Sequence, residues 1–173
     1  MNKVKIIAEI GPNHNGKVSL AKKLILSAKK SGADYVKFQT FITEDVITTN
    51  LRKAAYQTKN TKSNETQFEM LKKLELSFEQ FQEIKKFCDE NKIKFLSTAF
   101  DLKSLSFINS LKPDYIKIPS GEINNLPLIK AIAKLKKKTI LSTGMCSMKE
   151  VVNTVNILNK NGLKRNKITL LPL

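Results

Sequence analysis

Two lysines stand where lysines are costly. Asp114-Tyr115-Ile116-Lys117-Ile118-Pro119-Ser120-Gly121-Glu122 reads as a short buried strand with Lys117 between two isoleucines, followed by a Pro-Ser-Gly turn that ends in a carboxylate. Asp34-Tyr35-Val36-Lys37-Phe38-Gln39 repeats the pattern, with Lys37 at the same place in the strand. An ammonium buried without a partner is so unfavourable that each lysine is expected to point into a polar pocket and meet an anion. A second echo pairs Phe95-Leu96-Ser97-Thr98 with Ile140-Leu141-Ser142-Thr143, two apolar strands that end in hydroxyls. In chain order the echoes interleave as lysine, hydroxyls, lysine, hydroxyls. If these strands are parallel and sequential, their carboxyl ends meet on one face, where two cations and several hydroxyls surround a common point. That set suits a phosphate or carboxylate ligand. Glu9 adds a carboxylate at the end of the first strand, facing the same side; a satisfied structural glutamate is the competing reading.

The elements that must position these groups alternate regularly. Val4–Ile10 is a first strand, nearly continuous in apolar residues as a strand covered on both faces should be. The turn Gly11-Pro12-Asn13-His14-Asn15-Gly16 follows. Lys17–Ser31 has helical periodicity, with Leu20, Ala21, Leu24, Ile25 and Ala28 on one face, and Gly32 closes it. Strand two, Tyr35–Gln39, completes a βαβ unit. From Thr40 to Thr66 a polar stretch punctuated by Val46, Ile47, Leu51 and Tyr56 breaks the pattern; a loop this long in a compact domain is expected to cover an active site. Helices are expected over Gln67–Lys73, from the Ser77-x-x-Gln80 capping signal to Asn91, after Asp101, over Leu126–Leu135, and from the Ser147-x-x-Glu150 box to Asn161. Further strands are expected at Lys94–Thr98, around Lys117, at Thr139–Thr143 and from Lys167 to Leu171. Strands alternating with helices in this way mean an α/β fold with a parallel sheet. The first turn lacks Gly-x-Gly-x-x-Gly and no Walker-type loop occurs, so the usual nucleotide fingerprints are missing. Polar residues at the ends of successive strands favour a barrel over an open sheet, which concentrates its ligand at one switch point. A TIM-type (β/α)8 barrel needs eight strands and about 250 residues. Only six strands can be read here, so the barrel is expected to be incomplete.

Bulk properties narrow the class. At 173 residues and 41% hydrophobic content the chain can bury a sizeable core. No apolar run approaches the ~20 residues of a membrane span, and the amino-terminal strand is too short for a signal-peptide core, so a cytoplasmic location and no membrane partner are expected. Cys88 and Cys146 lie far apart without C-x-x-C spacing; Cys88 shares a helical face with Phe81, Ile84 and Phe87 and reads as core. With one histidine, the chain cannot build a soft-ligand metal site alone. The net charge of +16 would suit a nucleic-acid binder, but the lysines are spread over every helix; Lys134, Lys136, Lys137 and Lys138 form the one run, at a helix end. A solvated lysine-rich surface with a general attraction for anionic substrates accounts for the charge, and no nucleic-acid partner is expected.

Five ordered motifs now resemble one family. Ala8-Glu9-Ile10-Gly11-Pro12-Asn13-His14-Asn15-Gly16, Val36-Lys37-Phe38-Gln39-Thr40, Leu96-Ser97-Thr98-Ala99-Phe100-Asp101, Ile118-Pro119-Ser120-Gly121-Glu122 and Leu141-Ser142-Thr143-Gly144-Met145 together resemble the N-acetylneuraminate (sialic acid) synthase family over essentially the whole chain. The resemblance implies condensation of phosphoenolpyruvate with an N-acetylated amino sugar, typically N-acetylmannosamine, to a nine-carbon 2-keto acid and phosphate. It further implies a (β/α)8 barrel followed by a small antifreeze-like domain, a domain-swapped homodimer, and a divalent metal, manganese or alternatively magnesium. By motif, Lys37, Thr98, Lys117, Ser120 and Ser142 fall where the family holds phosphoenolpyruvate. Glu9, Gln39, Phe100 and Glu122 fall where it contacts the amino sugar and the reacting carbons. Glu122 is assigned to the attacking water and Glu9 to the sugar. His14 sits in the family's turn motif and is read as turn-stabilising, outside any metal site.

The chain departs from the family after its sixth strand. A His-Cys segment and a later Tyr-Pro are expected there, where this chain has Pro172-Leu173. The family's metal-binding histidines, its last two strands and the antifreeze-like domain fall beyond that point. Residues 1–173 are therefore expected to be the amino-terminal part of such a barrel, inactive alone, with two unpaired sheet edges and a tendency to associate. The Phe38-Gln39-Thr40 and Gln67-Phe68-Glu69-Met70-Leu71 segments look more like the sialic and legionaminic acid branches than the pseudaminic one. A noncatalytic interaction fragment and a nucleic-acid-binding basic protein are the alternatives from other classes.

Overall fold

Central strands buried on both faces decide the architecture. The computed structural model describes residues 4–49 and 65–172. The strands are β1 (Ile7–Glu9), β2 (Tyr35–Thr40), β3 (Lys94–Ala99), β4 (Ile116–Ile118), β5 (Thr139–Ser142) and β6 (Ile168–Leu171). Each pairs in parallel with the next in sequence, giving the order β1-β2-β3-β4-β5-β6. Helices α1 (Val18–Lys30), α2 (Thr43–Val46), α3 (Gln67–Leu74), α4 (Phe78–Glu90), α5 (Leu102–Ser110), α6 (Leu126–Lys134) and α7 (Met148–Lys160) occupy the connections. Sequential parallel strands with helical crossovers form a curled α/β half-barrel, as the motif order implies.

Successive strand residues point to opposite faces. Val36, Phe38, Phe95, Ile116, Ile118 and Leu141 all fall on the outer face and are buried against the helices. Two clusters result. One joins β2 and β3 to α1 and α4 through Ile25, Phe81, Ile84 and Cys88; the other joins β4 and β5 to α5, α6 and α7 through Leu105, Ile129, Ile132 and Leu158. Phe38 is fully buried, stacked 5.7 Å from Phe95 and edge-on 6.2 Å from Phe81, ring pairs worth about 0.5–1.5 kcal/mol each beyond their buried area. Burial pushes the Cys88 thiol up to about 12, in keeping with its reading as core.

Helix starts follow their caps. Ser77 with Gln80 and Ser147 with Glu150 form reciprocal capping boxes, and Thr66 with Glu69 forms a third. Asp101 accepts from Ser104 N at 2.7 Å and Asn125 from Leu128 N at 3.2 Å.

Most boundaries fall within a residue of the sequence reading, and two places depart further. The first strand is Ile7–Glu9 and not Val4–Ile10, because β1 has β2 as its one neighbour among the described residues and Val4 is exposed. The carboxylate of Asp34 accepts from Ile6 N at 2.9 Å and closes the pairing there. The expected cover over 40–66 begins with α2, a helical turn that the polar composition does not announce, and residues 50–64 lie outside the described residues. No helix among the described residues is long and apolar enough to cross a membrane.

Candidate active site at the carboxyl ends of the strands

The inner face of the sheet is the counterpart of the outer one. The register sets Glu9 opposite Lys37, Gln39 opposite Thr98, and Thr98 opposite Lys117, so all five share the concave face, and Ser142 joins them two residues beyond Ile140, which pairs with Lys117. The same alternation sends Ser97 outward, where its hydroxyl lies 2.8 Å from that of Thr40. Of the two hydroxyls that end β3, Thr98 alone serves the site.

The two lysines have different partners. Lys37 Nζ lies 2.9 Å from Glu9 Oε2 and donates to Thr98 Oγ1 at 3.3 Å. Lys117 Nζ donates to Ser142 Oγ at 2.6 Å and to the Ile118 carbonyl at 3.0 Å, and among the described residues no carboxylate lies within ion-pair reach of it. Lys117 is 5% exposed. Burial first and the neighbouring Lys37 charge second pull its ammonium down to about 8, with Glu9 opposing. A buried cation flanked by hydroxyls, and without an ion-paired carboxylate among the described residues, suits the seating of an anion that arrives from outside.

Beside this seat opens a cleft of about 210 Å³. Gln39, Phe100 and Glu122 line it from the strand ends, Phe41 from the residue after β2, Val46 and Ile47 from the end of α2, and Gln67 and Leu71 from α3. Glu122 belongs to the 3-10 turn Ser120–Glu122 that follows β4, and its Oε2 accepts from Asn125 Nδ2 at 2.7 Å. Asn125 is not among the predicted residues; it stands just before the helix expected from Leu126, and Asn followed by Leu-Pro at a helix start is the signal that could have found it. The Ser120 carbonyl faces Cys146 Sγ at 3.7 Å. The predicted residues thus fall into an anion group of Lys37, Thr98, Lys117 and Ser142 and a cleft group of Gln39, Phe100 and Glu122. Glu9 is tied to the first group through Lys37, and half-buried Ser120 lies in the turn that carries Glu122.

The amino-terminal turn packs beneath this rim. A Cβ on Gly11 would stand 2.8 Å from Gln39 N, and one on Gly16, at φ +68°, would stand 2.2 Å from the Lys73 carbonyl oxygen. Both positions need glycine for close approach. The Gly11-Pro12 peptide is cis. His14 is buried; its Nδ1 accepts from Gly16 N at 3.1 Å, and its ring centroid is 6.0 Å from that of Phe38. Burial lowers its pKa, so the imidazole is neutral and holds the turn. Among the described residues no three His, Cys, Asp or Glu side chains cluster so as to hold a metal ion. The described residues by themselves do not fit a divalent metal.

Comparison with known proteins places this geometry. The sequence model described as the NeuB family matches residues 24–172. The chain is 52% identical over 171 residues to the N,N'-diacetyllegionaminic acid synthase of Campylobacter jejuni, covering 99% of this chain and 51% of that protein. It is 46% identical over 161 residues to the enzyme of the same name from Legionella pneumophila, covering 91% and 45%. Among solved structures, the N-acetylneuraminic acid synthetase of Leptospira borgpetersenii, crystallised with citrate, superposes with a TM-score of 0.81 at 28% identity, over 99% of this chain and 54% of that one. The chain spans about half the length of the curated relatives it matches.

Proposed function

The chain belongs to the NeuB family, and from that premise we propose that its strand-end site serves the condensation of phosphoenolpyruvate with an N-acetylated amino sugar, giving a nine-carbon 2-keto acid and inorganic phosphate. One observation carries the reading: Lys117 is a buried ammonium whose partners are a hydroxyl and a carbonyl, beside a second lysine that donates to one further hydroxyl, that of Thr98. Phosphoenolpyruvate supplies the countercharge that the described residues do not. Its anionic groups lie against Lys37, Thr98, Lys117, Ser120 and Ser142, and the sugar occupies the cleft of Gln39, Phe100 and Glu122.

In the reaction, carbon 3 of the enol phosphate bonds to the aldehyde carbon of the sugar, whose oxygen gains a proton. Water adds to carbon 2 and loses a proton, and cleavage of the bond between carbon 2 and the bridging oxygen releases phosphate. The lysines hold the phosphate charge throughout. Glu122, held by Asn125, is placed to take the proton of the water. Glu9, released from Lys37 when the anion arrives, is assigned to the sugar. The product names of the two bacterial relatives favour a legionaminic acid-type product over N-acetylneuraminate, and the complete reaction is proposed for a barrel with all its strands, working in the cytoplasm.

The test on this chain is binding. Calorimetric titration of phosphoenolpyruvate into the 173-residue protein is expected to show one site, weakened at least about tenfold by Lys117→Met or Lys37→Met, the scale of one lost charge-assisted contact. No binding, or binding indifferent to both substitutions, would remove the reading.

A further inference from the structure

Each lysine strand opens on an Asp-Tyr pair, Asp34-Tyr35 before Lys37 and Asp114-Tyr115 before Lys117. Each tyrosine stands two residues ahead of its lysine, on the same concave face and about 7 Å nearer the amino end of the strand. The two rings meet edge-on at 5.9 Å and form a floor under the anion seat. Tyr35 is 4% exposed, and its hydroxyl donates to Asp114 Oδ2 at 2.8 Å. Lys94 of β3, opposite Tyr35 in the register, donates to the same carboxylate and lies 5.6 Å from the centroid of the Tyr35 ring. That ion pair is exposed and contributes little by itself. The partly buried tyrosine hydrogen bond is what reaches across β3 and ties β2 to the start of β4.

The tie stands where the sheet is thinnest. β2 is in register with β3 from Tyr35 to Thr40, whereas β3 and β4 are in register at Thr98 and Lys117 alone among the described residues. It also works against a repulsion, because Lys37 and Lys117 are like charges on one face and the Lys37 charge bears on the Lys117 ammonium. We propose that Tyr35 and Asp114 are positioning residues for the anion seat: their hydrogen bond holds β4 to β2 at the amino end of the strands and so keeps Lys37 and Lys117 close enough to grip one anion together. The inference rests on the reading of the seat as a phosphoenolpyruvate site. Neither residue touches the ligand; both act through the lysines. Without the tie the two ammonium groups part and open to water, and an anion must first draw them back together, so affinity is lost to reorganisation. The tie itself does not titrate near neutrality. Burial first and the Asp114 hydrogen bond second push the Tyr35 phenol up to about 12, and Lys94 and Tyr35 hold the Asp114 carboxyl below the usual carboxylate range. The charged groups that face Lys117 are Lys37 of β2 and Glu9 of β1, so a change in its titration reports their spacing and its burial.

The experiment reads Lys117 first and its ligand second. NMR titration of the 173-residue chain with isotope-labelled lysine, the Lys117 resonance being identified by its loss in Lys117→Met, is expected to give a midpoint of about 8 in the parent. Tyr35→Phe, which removes only the hydroxyl, and Asp114→Ala are expected to raise that midpoint by at least about half a unit, since burial and the Lys37 charge both press on Lys117 less. Phosphoenolpyruvate titrated at pH 7 is expected to bind both variants about threefold to tenfold more weakly, the scale of one hydrogen bond, with a flatter fall in affinity toward pH 9. Asp114→Asn keeps an acceptor for the Tyr35 hydroxyl and is expected to stay near the parent in both measurements. An unmoved Lys117 midpoint in Tyr35→Phe and Asp114→Ala overturns the proposal whatever happens to affinity, because a merely structural bond would leave the charge that the lysines feel unchanged. Parental affinity in both variants, or Asp114→Asn as impaired as Asp114→Ala, overturns it too. If phosphoenolpyruvate fails to bind the parent while the midpoint moves as expected, the reading of the seat as its site fails and the spacing role of Tyr35 and Asp114 stands.

Discussion

Lys117 Nζ donates to Ser142 Oγ at 2.6 Å, across neighbouring parallel strands, and both residues are at least 95% buried. Under the proposed reading the pair serves binding and not stability, because it holds a cation away from water without an ion-paired carboxylate among the described residues. Lys117→Met is therefore expected to leave stability unchanged or higher by about 1 kcal/mol while removing anion binding. Urea denaturation beside phosphoenolpyruvate titration checks this. A large loss of stability would mean that the ammonium has a structural role.

Anion affinity is expected to depend on pH through the same residue. With its pKa lowered to about 8, free Lys117 is mostly charged at neutral pH and mostly neutral one unit above 8. A bound anion favours the charged form, so binding must take up a proton once the pH passes that value. The sign is a fall in affinity with rising pH, about tenfold between pH 7 and pH 9 for a single group. In Lys117→Met that dependence is expected to vanish along with the binding it modulates.

The α2–α3 clasp is expected to carry measurable stability. Glu75 accepts from both the amide and the hydroxyl of the fully buried Thr43. Glu75→Leu strands both donors, at a cost of about 1–3 kcal/mol. A shift in urea midpoint well below that range would show that water replaces the carboxylate.

Gly16 stands where a side chain has no room. Its φ of +68° and the nearness of the Lys73 carbonyl predict that Gly16→Ala costs about 2–4 kcal/mol, more than backbone strain alone, since α3 must also move. A folded Gly16→Ala protein of parental stability would contradict the packing of the turn against α3.

His14 is the one histidine of the chain, so the window from pH 6.5 to 5.5 isolates it among the side chains. Its folded pKa is lowered by burial, so on acidification the unfolded state takes up the proton first. Stability is then fully present above about 6.5, the unfolded value, and falls as the pH drops below it. Denaturant unfolding at pH 6.5 and 5.5 is expected to show that loss in the parent and a flatter response in His14→Gln.

Much of this was legible in the chain itself, and the reason is locality. Capping boxes at Ser77 and Ser147, the cap at Asp101 and the alternation around Lys37 and Lys117 are short-range patterns that local backbone geometry enforces. The repeated lysine strands therefore announced two cations at matching strand ends, and the order of five motifs announced the family and the half-barrel. What could not be read was which groups meet. That Thr98 and not Ser97 joins the lysines depends on interstrand register, which a shift of one residue reverses. That Glu9 pairs with Lys37 while Lys117 is left without a carboxylate among the described residues, that Asn125 holds Glu122, and that Val46 and Ile47 close a cleft with Leu71 are contacts between segments distant in sequence. Residue types determined that two lysines and several hydroxyls stand at the strand ends; the packing of one sheet face decided which of the lysines meets a carboxylate, because burial and distance are properties of the assembled fold and of no single stretch within it.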